Sequence, residues 1–496
     1  MNLRRSLLLL AACGSAGATR ASPKTPPMGW SSWNAFYCNV DEPSVRANAA
    51  LLKSMGLQAL GYTQLNIDDC WLNATRDPAT HELRAADAFP SGMAALGADL
   101  HAMGLGFGLY TSQTNATCAG RAGAFGYEAL DAATYCRWNI DYLKNDLCGG
   151  AGHAALNTSW ELFQRGLDAC AQPVTVSVEY CGLDHPGGAS GADPVAGCGA
   201  WVGGLANLWR TSSDLQPMWD SMYATAAAND AMAPVQRVGH YNDPDSERSC
   251  CCCCCCCCCC CCDQRRRSPL SPPAPPSASS PPLRRHLPVL QVGNFLFAQD
   301  NMDALEMRTH FALWCVMGAP LILGKDLADF APTPHAGRMT AAEFMGIVGN
   351  EELIAVDQDA LAVQGTNRTT GEQGARWAEV WAKPLASGAA AVLLMNAEGT
   401  APYVRADRKQ RPLSSREAAQ QRRRPQQQRV QSSTHALAAP KNRTVTVTWA
   451  QIGLAAGARA SVRDLWAKQE LGTFTGSFSR SLSKHDNAML KITSSP

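Results

Sequence analysis

The stretch Tyr142-Leu143-Lys144-Asn145-Asp146-Leu147-Cys148 passes from apolar to charged within three residues. It reads as a buried strand that ends at an opening. Side chains alternate along a strand, so Lys144 and Asp146 share a face, and the ammonium would lower the aspartate's pKa and keep it ionised. A second carboxylate, Asp214, follows Arg210-Thr211-Ser212-Ser213. Two carboxylates across one pocket can cleave a glycosidic bond. One attacks the anomeric carbon, and the other protonates the leaving oxygen and then activates water. In a retaining enzyme they stand about 5 to 5.5 Å apart. The plainer readings are a Lys144–Asp146 ion pair on a rim and, for Asp214, the N-cap of a helix starting at Leu215.

Chemistry of this kind needs a frame that collects residues distant in sequence. From Trp30 to about Val363 the pattern is strand, loop, helix, repeated. Strands are expected at Met28–Ser32, Tyr62–Ile67, Leu105–Tyr110, Tyr142–Lys144, Val174–Glu179, Leu205–Arg210, Val238–Asn242 and Leu321–Leu323. Helices are expected at Pro43–Met55, Gly92–Met103, Tyr127–Trp138, Ser159–Cys170, Leu215–Ala228 and Met302–Val316. Such alternation predicts a parallel sheet covered by helices. Polar residues fall at the ends of successive strands: Asp68-Asp69, Tyr110, Lys144 and Asp146, Glu179, Arg210 and Asp214, then Asp243 and Asp245. Convergence from many strand ends on one face is the habit of a (β/α)8 barrel; an open sheet would gather them at one switch point. Gly104-Leu105-Gly106-Phe107-Gly108 leads into a strand rather than out of one, which argues against a nucleotide site.

After Gly365 short strands with turn residues replace the helical pattern, at Ala378–Trp381, Ala390–Leu394, Thr444–Trp449, Ala460–Leu465 and Met489–Ile492. They predict an antiparallel β-sandwich. The division is a leader at 1–21, a barrel at 22–365 interrupted by a low-complexity insert at 246–289, and a sandwich at 366–496 interrupted at 402–441. The first insert contains thirteen consecutive cysteines, Cys250–Cys262, with no metal-ligand spacing. Neither insert has enough apolar pattern to offset chain entropy. The net charge of +1 gives no field for nucleic acid, and no apolar run is long enough to span a bilayer.

Arg4-Arg5, the apolar run Leu7–Ala12 and small residues around Ala18 form a secretory signal pattern. Sequons at Asn73, Asn115, Asn157, Asn367 and Asn442 fit that route. Outside the cysteine run and the leader, nine cysteines remain, which suggests several disulfides and one odd thiol.

Several motifs carry a resemblance. Thr25-Pro26-Pro27-Met28-Gly29-Trp30-Ser31-Ser32-Trp33-Asn34, Asn66-Ile67-Asp68-Asp69-Cys70-Trp71, Tyr142–Asp146, Tyr241–Asp245, Ala319–Ile322, Asp357-Gln358-Asp359 and Val462–Trp466 resemble the α-galactosidases of glycoside hydrolase family 27. The resemblance implies a (β/α)8 barrel followed by a β-sandwich, and a retaining hydrolase without metal or cofactor, directed to the extracellular space, vacuole or lysosome. It makes Asp146 the nucleophile and Asp214 the acid/base. It gives sugar contacts to Trp33, Asp68, Asp69, Tyr110, Lys144, Glu179, Tyr180, Arg210 and Asp245, and pairs Cys38 with Cys70 and Cys118 with Cys148. A Cys181–Cys198 pair is a further expectation, from the Gly-rich loop between them. As an acid, Asp214 needs a raised pKa, which nearby Asp146 would supply. The expected partner is a carbohydrate carrying terminal α-D-galactose, with a homodimer left open.

The chain departs from the resemblance at three places. Val178-Glu179-Tyr180 stands where plant-type members have Cys-Glu-Trp, Asn145 where an aromatic or aliphatic residue is usual, and Ser246 where methionine is usual. Tyr180 and Cys181 are not the small residues that room for an acetamido group requires, so galactose is favoured. The alternatives are an α-N-acetylgalactosaminidase, a β-L-arabinopyranosidase or a sugar-binding relative with impaired catalysis.

Overall fold

The computed structural model describes residues 22–148, 153–179, 202–212, 214–244, 302–330, 339–370, 377–400 and 442–495, and for 153–157 the backbone alone. The leader, both inserts, Tyr180, Cys181, Cys198 and Asp245 lie outside the described residues.

Eight short strands form one parallel sheet: β1 Met28–Ser31, β2 Gln64–Asn66, β3 Gly106–Ser112, β4 Tyr142–Asp146, β5 Thr175–Val178, β6 Leu208–Arg210, β7 Tyr241–Asp243 and β8 Leu321–Leu323. Their order is β7-β6-β5-β4-β3-β2-β1-β8. The chain thus returns so that the last strand pairs parallel with the first, Met28 opposite Leu321, as barrel closure demands and an open doubly wound sheet does not. Between the strands run α1 Glu42–Ser54, α2 Met93–Ala102, α3 Glu128–Arg137, α4 His153–Leu167, α5 Trp219–Asp230 and α6 Ala304–Met317. After β8 come α7 Ala341–Val348 and α8 Glu351–Asp357. Helix starts are chemically marked. Asp41 with Ser44, Asp303 with Glu306 and Thr340 with Glu343 form reciprocal capping boxes, which satisfy backbone N–H groups left over in a first turn.

Strand parity sorts the side chains. Odd-numbered Phe107 packs outward, so close to α2 that a Cβ on Gly97 would lie 2.5 Å from its ring. Asn66, Tyr110, Tyr142, Lys144, Ser177 and Arg210 line the interior instead. Gly108 shares their face, where a Cβ would collide with Asn66 Oδ1; glycine is what lets two strands' contents fit there.

The second unit has a six-stranded antiparallel sheet, β14-β13-β16-β11-β10-β9, and a two-stranded one, β12-β15. The strands are β9 Thr366–Asn367, β10 Ala378–Pro384, β11 Ala390–Asn396, β12 Arg443–Thr448, β13 Arg459–Asp464, β14 Gln469–Thr475, β15 Ser477–Leu482 and β16 Asn487–Ser494. The unbroken apolar run of β11 follows from burial on both faces. Val392 and Leu394 join a core with Val445, Val447 and Phe478 of the small sheet. Ala391, Leu393 and Met395 face the other way and join the barrel's core with Trp314. Helix α6 is accordingly apolar on nearly every side, from Met307 to Met317. The fold is a (β/α)8 barrel followed by an antiparallel β-sandwich.

Several boundaries differ from expectation. β4 continues through Asn145 to Asp146, because Ser112 and Val178 of its neighbours extend the ladder. The helix expected from Leu215 begins at Trp219 with Met218 before it, so Asp214 is not its N-cap. The helix expected from Ser159 begins at His153, which leaves Ser159 inside it. Strands β9, β14 and β15 and helices α7 and α8 are not among the expected elements: β9 is two residues long, β14 is mostly exposed and lacks apolar alternation, and the two helices are only about two turns each.

Candidate active site

Asp68, Lys144, Glu179, Arg210 and Asp214 form one chain of alternating charge across the barrel mouth. Lys144 Nζ lies 2.9 Å from Asp68 Oδ2 and 3.0 Å from Glu179 Oε1. Arg210 reaches Glu179 at 2.8 Å and Asp214 at 3.0 Å. These residues come from the ends of β2, β4, β5 and β6, which only a closed parallel barrel brings side by side. All are buried or nearly so, and buried charges persist when paired.

Asp146 sits at the tip of β4 beside this chain. The Tyr110 hydroxyl donates to its Oδ2 at 2.6 Å and the Leu147 amide to its Oδ1 at 2.6 Å. Lys144 stands 5.2 Å from the centre of the Tyr110 ring. An ion pair with Asp146, the plainer reading, is not how the ammonium is used; it serves Asp68 and Glu179. Burial pushes the Asp146 carboxyl well above the ordinary range and the Glu179 charge adds to this, outweighing Lys144, Tyr110 and Leu147, which pull it down. Glu179 goes the other way: burial raises it, but Lys144 and Arg210 bring it down to about 2. Lys144 is penalised by burial, yet Asp68 and Glu179 hold it more firmly protonated than a free lysine. Lys144 does pull the Asp146 pKa down, as expected, but burial first and the Glu179 charge second outweigh it.

Asp68 accepts Lys144 and lines the cavity. Asp69, the next residue, is fully buried. Its carboxylate accepts the amides of Cys70 and Ala119 at 2.7 and 2.8 Å, and burial raises its pKa. Trp33 is buried, its ring edge-on to Tyr37 at 5.5 Å. Trp30 is core, fully buried, with its indole N–H on the Lys325 carbonyl. A small cavity that opens to solvent is lined by Asp68, Tyr110, Lys144, Glu179 and Arg210. Its lining adds Tyr142, Ser177, Asp243 and Trp314. The first two were legible as residues two before Lys144 and Glu179, on the same faces.

Disulfides join Cys38 to Cys70 and Cys118 to Cys148, as the resemblance implied. The first ties the loops after β1 and β2 beside Asp68-Asp69, and the second ties the loops after β3 and β4 beside Asp146. A third, Cys136–Cys170, joins the last turn of α3 to the turn that follows α4. It was not foreseen, although a cysteine near the end of each of two successive helices was a signal for it. Among the described residues Cys315 is a buried free thiol.

A family model described as Alpha galactosidase A matches residues 25–248, and one described as Alpha galactosidase C-terminal beta sandwich domain matches residues 428–492. An alpha-galactosidase of Cyamopsis tetragonoloba is 30% identical over 95% of this chain and 86% of its own length. The chain belongs to the α-galactosidase family. It is a glycosidase of that family, glycoside hydrolase family 27. Another family member, from Oryza sativa subsp. japonica, is 29% identical over 95% of this chain and 85% of its own. In fold, the crystal structure of alpha-galactosidase I from Mortierella vinacea matches 95% of this chain and 98% of its own with a TM-score of 0.67 at 24% identity. That of the Saccharomyces cerevisiae enzyme matches 96% and 100% with a TM-score of 0.67 at 19% identity. The three disulfides fit an oxidising compartment, and no helix among the described residues is long and apolar enough to cross a membrane.

Proposed function

We propose that this protein removes terminal non-reducing α-D-galactose by double displacement with retention of configuration. The observation that carries the reading is the polar chain from Asp68 to Asp214 with Asp146 beside it, in a member of the α-galactosidase family. Asp146 attacks the anomeric carbon while Asp214 gives its proton to the glycosidic oxygen, so the C–O bond breaks as the glycosyl–Asp146 ester forms. Asp214 then takes a proton from water, whose oxygen displaces Asp146. Asp68, Lys144, Glu179 and Arg210 offer acceptors and donors to the ring hydroxyls, and charge-assisted bonds of this kind are the strong ones. Trp33, Asp69, Tyr110, Tyr180 and Asp245 complete the proposed sugar site. Galactosides of oligosaccharides, glycolipids or galactomannans are the proposed substrates, met after export through the secretory pathway by an N-terminal signal and glycosylation at the sequons.

A panel of aryl glycosides tests this. The α-galactoside is the expected substrate, and the first sugar released should be the α-anomer, read by NMR before mutarotation. Asp146→Asn should lose roughly 10³-fold or more in kcat while its thermal transition stays put. Preference for the N-acetylgalactosaminide or β-L-arabinopyranoside, release of the β-anomer, or an active Asp146→Asn would each overturn the corresponding part.

A further inference from the structure

Behind the proposed nucleophile, on the side of β4 away from the cavity, runs a second polar chain. Asn145 points outward between the barrel and its helices, where a strand side chain is ordinarily apolar. Its Nδ2 donates to Gln113 Oε1 at 2.7 Å. Gln113 Nε2 donates to Ser159 Oγ on α4, and Ser159 donates to Glu128 Oε1 at the start of α3. The Gly126 amide donates to the same carboxylate oxygen at 2.9 Å. All four side chains are buried, Asn145 and Gln113 completely. Every proton points the same way, toward the Glu128 carboxylate. Ser159 has one proton and gives it to Glu128, so it accepts from the Gln113 amide, and this fixes which end of Gln113 faces Asn145. Aligned bonds ending on a charge strengthen one another.

The backbone that carries these side chains is itself tied on both sides of β4: the Gln113 backbone N–H donates to the Asp146 carbonyl at 2.9 Å, and the Glu179 backbone N–H donates to the Asn145 carbonyl at 3.1 Å. Asn145 Oδ1 has no partner among the described residues. A buried amide oxygen left unmet costs stability, so an apolar residue of similar size would serve packing better. Resting on the reading of Asp146 as nucleophile, we propose that Asn145, Gln113, Ser159 and Glu128 form a positioning network that sets the direction in which Asp146 meets the anomeric carbon. Small displacements of a reacting group are expensive in rate, and a strand tip with no helix contact of its own would be free to make them.

A galactose-configured cyclophellitol epoxide labels the nucleophile covalently, and the rate constant of labelling reads its attack directly. Asn145→Leu should lower that rate constant and kcat about tenfold, with the epoxide's dissociation constant and KM within about twofold. Ser159→Ala, two bonds away and a smaller change should Asn145→Leu not fold, should lower both about threefold or more. The double variant should be no slower than Asn145→Leu alone, because one broken chain cannot break twice. A merely structural role would reduce the fraction of protein that labels but not the rate at which the labelled fraction reacts. Labelling rates within about twofold of wild type in both variants, or additive losses, would overturn the network. A wild type that neither cleaves an aryl α-galactoside nor labels would remove the proposed function and this inference together; an active wild type matched by its variants removes the inference alone.

Discussion

At the mouth of the barrel Asp146 and Glu179 hold protons differently for a stateable reason. Glu179 touches both cations, Lys144 and Arg210, at 3.0 and 2.8 Å, whereas Asp146 has a phenol and an amide. A nucleophilic carboxylate works when deprotonated, so activity stands above its pKa and is lost below. The acid limb of kcat/KM should therefore lie above the ordinary carboxylate range. Glu179→Gln removes the adjacent negative charge, so this limb should move to lower pH, while KM rises as Lys144 and Arg210 lose a shared partner. A pH profile of kcat/KM checks both, and an unmoved limb would show that Glu179 does not set the Asp146 proton. Lys144 beside Asp146 was plain in the sequence; that burial and Glu179 outweigh it was not.

At the scale of elements, the disulfides divide by what they hold. Cys136–Cys170 closes a separation of 34 residues between the ends of α3 and α4. Cys136→Ser should cost about 2–4 kcal/mol, read by denaturant unfolding, with kcat at 25 °C nearly unchanged. Cys118→Ser frees the loop next to Asp146 and should lower kcat as well as stability; full activity would show that the loop keeps its place unaided. The capping boxes act more modestly. Thr340→Ala should cost α7 about 1 kcal/mol. That box, Thr340 with Glu343, was legible in the sequence, yet the helix was missed because its apolar pattern spans only two turns.

For the molecule as a whole, the large sheet of the sandwich is shared property. One face closes on β12 and β15 and the other on the barrel through Trp381, Leu393 and Met489. Polar contacts stitch the same seam. The Thr309 hydroxyl donates to the His485 carbonyl at 2.7 Å, Asn350 donates to the Leu465 carbonyl at 3.0 Å, and the His485 ring stacks on Trp219 at 3.7 Å. Barrel and sandwich should thus unfold as one cooperative unit. Calorimetry should give a single endotherm, and Trp381→Ala, at about 3–5 kcal/mol, should lower it without splitting it. Two resolved transitions would mean that the seam is weaker than its burial suggests.

The eight-strand alternation, the polar strand ends, the two units and the carboxylates to watch are all legible in the sequence. These are local properties: strand parity, capping and apolar periodicity act over a few residues and survive any arrangement in space. Tertiary structure alone decided that Lys144 serves Asp68 and Glu179, that Cys136 meets Cys170, and that Asn145 faces Gln113 and Ser159 rather than the cavity. Each depends on which strands and helices become neighbours when the barrel closes. Proton affinity depends further on how much water is excluded, so Asp146 acquired its raised pKa from burial that no neighbouring residue in the sequence announces.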